Sequence, residues 1–144
     1  MGRYNQYDAV IKTTELLNQY GYEAIRIAKS NVYSDVIVNQ GGKQVNLLVR
    51  HLEKDHAYKN SPLPYKVFKI EAFDNNEERD LVINKIDFVF GYNFNDKCFA
   101  CVPIEEFKDR RSTVVHEKEG NRYEYYNSIF ALEEYLKCSK KSSL

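Results

Sequence analysis

The chain has no tryptophan, only three cysteines, no surplus of charge of either sign and no long hydrophobic run. Each absence excludes something. No stretch approaches the roughly 18 consecutive apolar residues that a membrane helix needs, so no segment reads as a membrane span. The opening residues, Met-Gly-Arg-Tyr-Asn-Gln-Tyr, contain no apolar signal region, and the expected location is the cytoplasm. Three cysteines make no disulfide framework and fit a reducing compartment. Lysine plus arginine and aspartate plus glutamate both number 21. That balance argues against a protein that coats nucleic acid nonspecifically, because such binding rests on neutralising many phosphates. A local basic patch stays compatible with it. Repeats and low-complexity segments are also missing. What is plentiful is tyrosine, with 12 residues, a side chain suited to stacking, interfaces and half-wet cores.

At 144 residues the expectation is one domain spanning 1–144, large enough to bury a real core, with a frayed basic tail over 137–144. Tyr7, Val10, Ile11, Thr14 and Leu17 recur at three- and four-residue steps, which predicts an amphipathic helix over 4–20 stopped by Gly21. Three β-branched and aromatic runs follow, at 22–29, 32–39 and 43–53, with Gly41-Gly42 as a hairpin turn between the last two. Alternation puts Val36 and Val38 on one face and Asp35 and Ile37 on the other. In the next run Val45, Leu47 and Val49 face one way, and Asn46, Leu48 and Arg50 the other.

Residues 51–64 read as a polar loop closed by Pro62 and Pro64. An extended segment at 65–73, a short helix at 75–84 and paired strands at 85–92 and 97–104 come next. A charged connection at 105–112, a short strand at 113–118 and a helix capped by Asn127 or Ser128 complete the chain. That last helix carries Ile129, Leu132 and Leu136 on its apolar side.

Cys98-Phe-Ala-Cys101 has the spacing of a zinc or redox pair. A zinc site would need a second ligand pair, where only lone candidates such as His116 stand. On a strand the two thiols point to opposite faces, so core cysteines are the expectation.

The helix followed by three strands resembles the PD-(D/E)XK nuclease superfamily, and within it the archaeal Holliday junction resolvases and the homing-endonuclease-like group. Glu15 stands on the leading helix. Arg26 and Ser30 sit where the resolvases carry an arginine and a serine, and Ser34-Asp35-Val36-Ile37-Val38 stands for the family's Pro-Asp and the apolar residues after it. The hairpin of 85–104 and the Tyr-Glu-Tyr-Tyr-Asn run before the last helix are similar to that group as well. The resemblance implies an α/β (α+β) fold, a central mixed sheet of four or more strands flanked by helices, restriction-endonuclease-like. The family's acidic-x-lysine triplet falls on Leu48-Val49-Arg50, so its catalytic motif is degenerate.

The resemblance also implies a site. Asp35 and Glu15 would be the metal ligands, and Glu15, Asp35 and Arg50 the catalytic set. Arg26, Lys29, Ser30, Lys43 and Arg50 would contact nucleic acid. Magnesium in such enzymes activates the attacking water and neutralises phosphate charge. Leucine ligates nothing, and arginine stays cationic where a lysine can exchange a proton. The plainer alternatives are an Asp35 salt-bridged to Arg26 or Arg50 and a solvated Glu15. His51 reads as a core-facing histidine. Glu53 is a migrated carboxylate only if a bulge turns it.

Two functions stay open. One is an inactive nuclease-fold protein that binds DNA or a DNA-handling protein, as an accessory factor or inhibitor from a mobile element. The other is a divergent magnesium-dependent endonuclease or junction resolvase with a rebuilt site. No cofactor is expected for the first, and magnesium for the second. A homodimer is open in either case.

Overall fold

The computed structural model describes residues 6–27, 34–55 and 65–142, with side chains from 7 to 137 within those ranges. Five strands make the central sheet: β1 (Glu23–Arg26), β2 (Val36–Gln40), β3 (Lys43–His51), β6 (Phe88–Asn93) and β7 (Cys98–Pro103), in the order β1-β2-β3-β6-β7. The β3–β6 pair is parallel and the other three are antiparallel. This is the mixed sheet expected from the sequence. The β2–β3 hairpin has Gln40 opposite Lys43, and both central glycines take positive φ, 58° and 82°, as a two-residue turn matching strand twist requires.

Helices α1 (Gln6–Gln19) and α3 (Phe130–Ser142) cover one face. Ala9, Val10 and Leu17 of α1 and Leu132 and Leu136 of α3 form one core with Val36, Val38, Val45, Leu47 and Val49. The odd-numbered residues of β3 face these helices, as alternation requires. Ser128 Oγ accepts the Phe130 amide at 3.0 Å and so is the cap. Asn127 does something else: its amide donates to Phe99 O and its Oδ1 accepts the Phe99 amide. That exchange closes part of the exposed edge of β7, where an unpaired ladder would invite another strand.

The segments at 65–73 and 113–118, expected as an extended segment and a short strand, cover the opposite face. They supply β5 (Val67–Glu71) and β8 (Ser112–His116), which pair antiparallel and with the two-residue β4 (Glu53–Lys54) form a second, three-stranded sheet. The run predicted over 43–53 is therefore broken. At Leu52 the chain leaves the first sheet, its amide donating to Tyr92 O and its carbonyl accepting from Asn93 Nδ2, and Glu53 enters the second. Leu48, Leu52, Phe68, Ile70, Val82 of α2 (Asn76–Val82), Phe107 and Val115 fill the core between the layers. At Gly91 the side chains of the second layer come close to the first sheet. A Cβ there would lie 3.1 Å from Ile70 Cδ1 and 3.3 Å from Leu52 Cβ.

Candidate functional site

Asp35 sits immediately before β2. Its amide donates to Leu47 O at 2.8 Å and its Oδ2 accepts the Val49 amide at 2.9 Å. The carboxylate thus closes the β2–β3 ladder at the end away from the hairpin. Arg50 NH1 stands 3.7 Å from the same Oδ2, with the two side chains 25% and 29% exposed. An ion pair at that distance and exposure contributes about 0–1 kcal/mol. The guanidinium is held more firmly elsewhere. Nε donates to Ala72 O at 3.0 Å and NH1 to Val49 O at 2.9 Å. Ala72 directly follows β5, so Arg50 ties the first sheet to the second. The alternative reading of Asp35, a carboxylate paired with Arg50, is the arrangement found.

Of the two residues placed beside this pair, Leu48 shares its face and Glu15 does not. Leu48 does lie on the Arg50 side of the strand, but it is 4% exposed and sealed in the core between the sheets. Glu15 belongs to α1, which packs on the other face of the sheet. Its carboxylate is 59% exposed and stands 4.0 Å from Lys12 Nζ. The expected facing of Glu15 and Asp35 fails for a simple reason. Even-numbered residues of β3 point away from α1, and Glu15 points outward from it. The residues therefore do not fit a magnesium site built on Asp35 and Glu15. Among the described residues, no three His, Cys, Asp or Glu side chains cluster as metal ligands.

The expected phosphate contacts are dispersed and engaged. Arg26 NH1 donates to Tyr7 OH, and its guanidinium carbon lies 5.5 Å from the Tyr7 ring centroid. Lys43, at the hairpin tip, has Nζ 4.9 Å from the Tyr135 ring centroid. Arg50 is tied at the opposite end of the same strand. Lys29 and Ser30 lie outside the described residues.

Other candidates resolve cleanly. Cys101 joins the core under the helices and Cys98 the core between the sheets, so strand alternation separates the two thiols. Burial pushes the Cys101 thiol up to about 12. His116 is buried, with Nδ1 3.2 Å from Tyr65 OH. Glu53 is exposed and pairs across from Lys69 in the second sheet.

A feature missed in the sequence is an open cavity of about 250 Å³ lined by Asp8, Ile11, Lys12 and Phe94. His51 borders it indirectly, its ring 6.2 Å from Phe94, which in turn stands edge-on to Tyr92 at 4.9 Å. His51 shares its strand face with Val49, as alternation required. The four-residue spacing of Asp8 and Lys12 on one helix was the available signal. Only the β6–β7 turn brings Phe94 to them.

No protein-family model and no curated protein matches the sequence. Among solved structures, the chain is similar to a bacterial homing endonuclease, I-Ssp6803I, with a TM-score of 0.70, over 99% of this chain and 99% of that one, at 15% identity. The fold is nuclease-like. No helix among the described residues is long and apolar enough to cross a membrane.

Proposed function

We propose that this is a nuclease-fold protein of the PD-(D/E)XK kind whose catalytic motif is degenerate, and that it acts by binding DNA or a protein that handles DNA. The observation that carries the proposal is Leu48. The position where the resemblance wants a metal-binding acid holds an apolar side chain closed into the core between two sheets. The arginine two residues on supports it, because its Nε and NH1 donors are spent on Ala72 and Val49 carbonyls. In nucleases of this kind, in-line attack on a phosphodiester uses a metal-activated water. A single carboxylate, Asp35, already accepting a backbone amide, is a poor anchor for an ion that sheds its own water reluctantly. An accessory or inhibitory role in a mobile element is the setting that suits a binding protein with a lost site.

The test is a cleavage assay with magnesium or manganese on linear, supercoiled and four-way-junction DNA, run beside Asp35→Ala. The expected result is no cutting by either protein. Metal-dependent cutting that disappears in Asp35→Ala would overturn the proposal and establish a divergent endonuclease. Salt-sensitive DNA binding by the wild type would identify DNA as the partner. Its absence would leave the DNA-handling protein.

A further inference from the structure

We propose that residues 121–127 form a strap that opens as one unit while both sheets stay folded, and that the Glu106–Arg122 ion pair is its latch. The strap runs between two anchored elements. Thr113 and Val115 of β8 are buried before it, and Ile129 and Leu132 after it. From 117 to 128 no residue is buried, and Tyr125 and Tyr126 only lean on the core between the sheets. Segments with few buried apolar contacts open at the least cost. Yet this one closes an edge of each sheet. Asn121 O accepts the His116 amide at 3.0 Å, and Arg122 NH1 donates to Val114 O at 3.3 Å, both on β8. On β7, Tyr126 bridges to Ala100 and Asn127 exchanges hydrogen bonds with Phe99. Beneath it, the Tyr126 ring stacks on Phe68 at 5.7 Å and its hydroxyl donates to the Cys98 thiol. Lifting the strap therefore frees two strand edges and bares Cys98.

The latch is one carboxylate outside the strap. Glu106 belongs to the 3-10 turn Ile104–Phe107 that follows β7. Its Oε1 accepts Arg122 Nε at 2.9 Å, with the two side chains 32% and 15% exposed. Its Oε2 accepts the Tyr125 hydroxyl at 3.4 Å. Glu106 thus grips both sides of the turn Tyr123–Tyr125, and a charge-assisted bond at this burial is the strongest directed contact the strap makes. The hinges are marked by the backbone. Arg122 and Asn127 stand at φ 60° and 50°, the left-handed region. Asparagine tolerates it, but arginine holds it only where surrounding contacts impose it. Releasing Glu106 removes that imposition.

Hydrogen exchange and thiol labelling of the full chain under native conditions test this. The Phe99 and His116 amides, one from each sheet, are expected to open with constants equal within about threefold, because one strap holds both. Cys98 is expected to react with N-ethylmaleimide faster than Cys101, which lies under the helices, with tandem mass spectrometry separating the two. The Cys98 rate should change little in dilute urea, while that of Cys101 follows global unfolding. Arg122→Ala and Glu106→Ala are each expected to speed Cys98 labelling and exchange of both amides by about tenfold, with a far smaller effect on Cys101. Circular dichroism melting confirms that each variant folds. Tyr125→Phe, which removes the longer contact to Glu106, serves where one does not, with a smaller change in the same direction. Phe99 and His116 amides with unlike opening constants overturn the single unit. Cys98 and Cys101 that label at one rate with one urea dependence overturn local opening. Latch variants that speed both thiols alike, or neither, overturn the latch.

Discussion

At the scale of single residues, the carboxylate that resembles a metal ligand works as a backbone cap. Asp35 accepts the Val49 amide and stands near Arg50. Asp35→Ala leaves that half-buried amide without its acceptor, and is expected to lower stability by about 1–3 kcal/mol, read from the urea midpoint. A purely catalytic aspartate would be neutral or stabilising when removed, so the direction discriminates. Leu48→Glu is the complementary change. It supplies the acid the nuclease motif wants, but into a core formed by Leu52, Phe68 and Ile70. An uncompensated buried carboxylate is expected to destabilise by several kcal/mol, on the order of 3–5, and to confer no metal-dependent cleavage. A well-folded Leu48→Glu protein that cuts DNA would refute the structural assignment of this position.

At the scale of elements, the molecule depends on how two sheets face each other across a thin layer. Gly91 is buried in β6, opposite Arg50 in the parallel ladder. Its missing side chain is what lets Ile70 and Leu52 approach. Gly91→Ala places a methyl against neighbours that have little room to retreat, and a loss of about 1–3 kcal/mol is expected from overpacking. Thermal melting monitored by circular dichroism measures it. Ile70→Val in the same chain should recover only part of the loss, since it removes the Cδ1 that lies 3.1 Å from the added methyl and keeps a γ carbon at the same distance. Arg50 crosses the same interlayer gap to Ala72, so the two layers are fixed by close packing at one point and a directed hydrogen bond at another.

At the scale of the whole molecule, several of its weak acids are partly withdrawn from water, and the absence of tryptophan makes them easy to watch. Burial, then the charges of Glu106 and Glu124, pushes Tyr125 up to about 12. Burial and Asp87 do the same for Tyr135, also to about 12, and burial raises Tyr22, Tyr92 and Tyr126. Groups whose proton is held more tightly in the folded state stabilise it fully below their ordinary pKa. That contribution is lost as the pH rises through the raised value. For Tyr125 and Tyr135 the window runs from 10.0 to about 12, and for Cys101 from 9.0 to about 12. A phenolate absorbance titration is therefore expected to show a late class of tyrosines that ionises only together with unfolding. A single smooth transition near 10, with native circular dichroism retained, would contradict it.

Local periodicity determined most of the elements. The four- and three-residue steps of Val10, Thr14 and Leu17 made α1. Two-residue alternation at Val36, Val38, Val45, Leu47 and Val49 made β2 and β3 and chose their helix-facing side. The same parity separated Cys98 from Cys101. The resemblance carried by Asp35 and the Gly-Gly hairpin pointed to the nuclease-like fold. What lay beyond reach was decided by contacts between distant segments. Leu48 reads as a vacancy in a catalytic motif, and only the arrival of β5 and β8 shows that it is packed under a second sheet. Glu15 follows from its helix, yet which face of the sheet that helix covers is not written in its periodicity. Arg50 could have met a phosphate or a carbonyl, and the end of β5 supplies the carbonyl. Alternation is a local rule about which way a side chain points. What it meets there depends on chain segments tens of residues away, and those are placed by burial of the whole core.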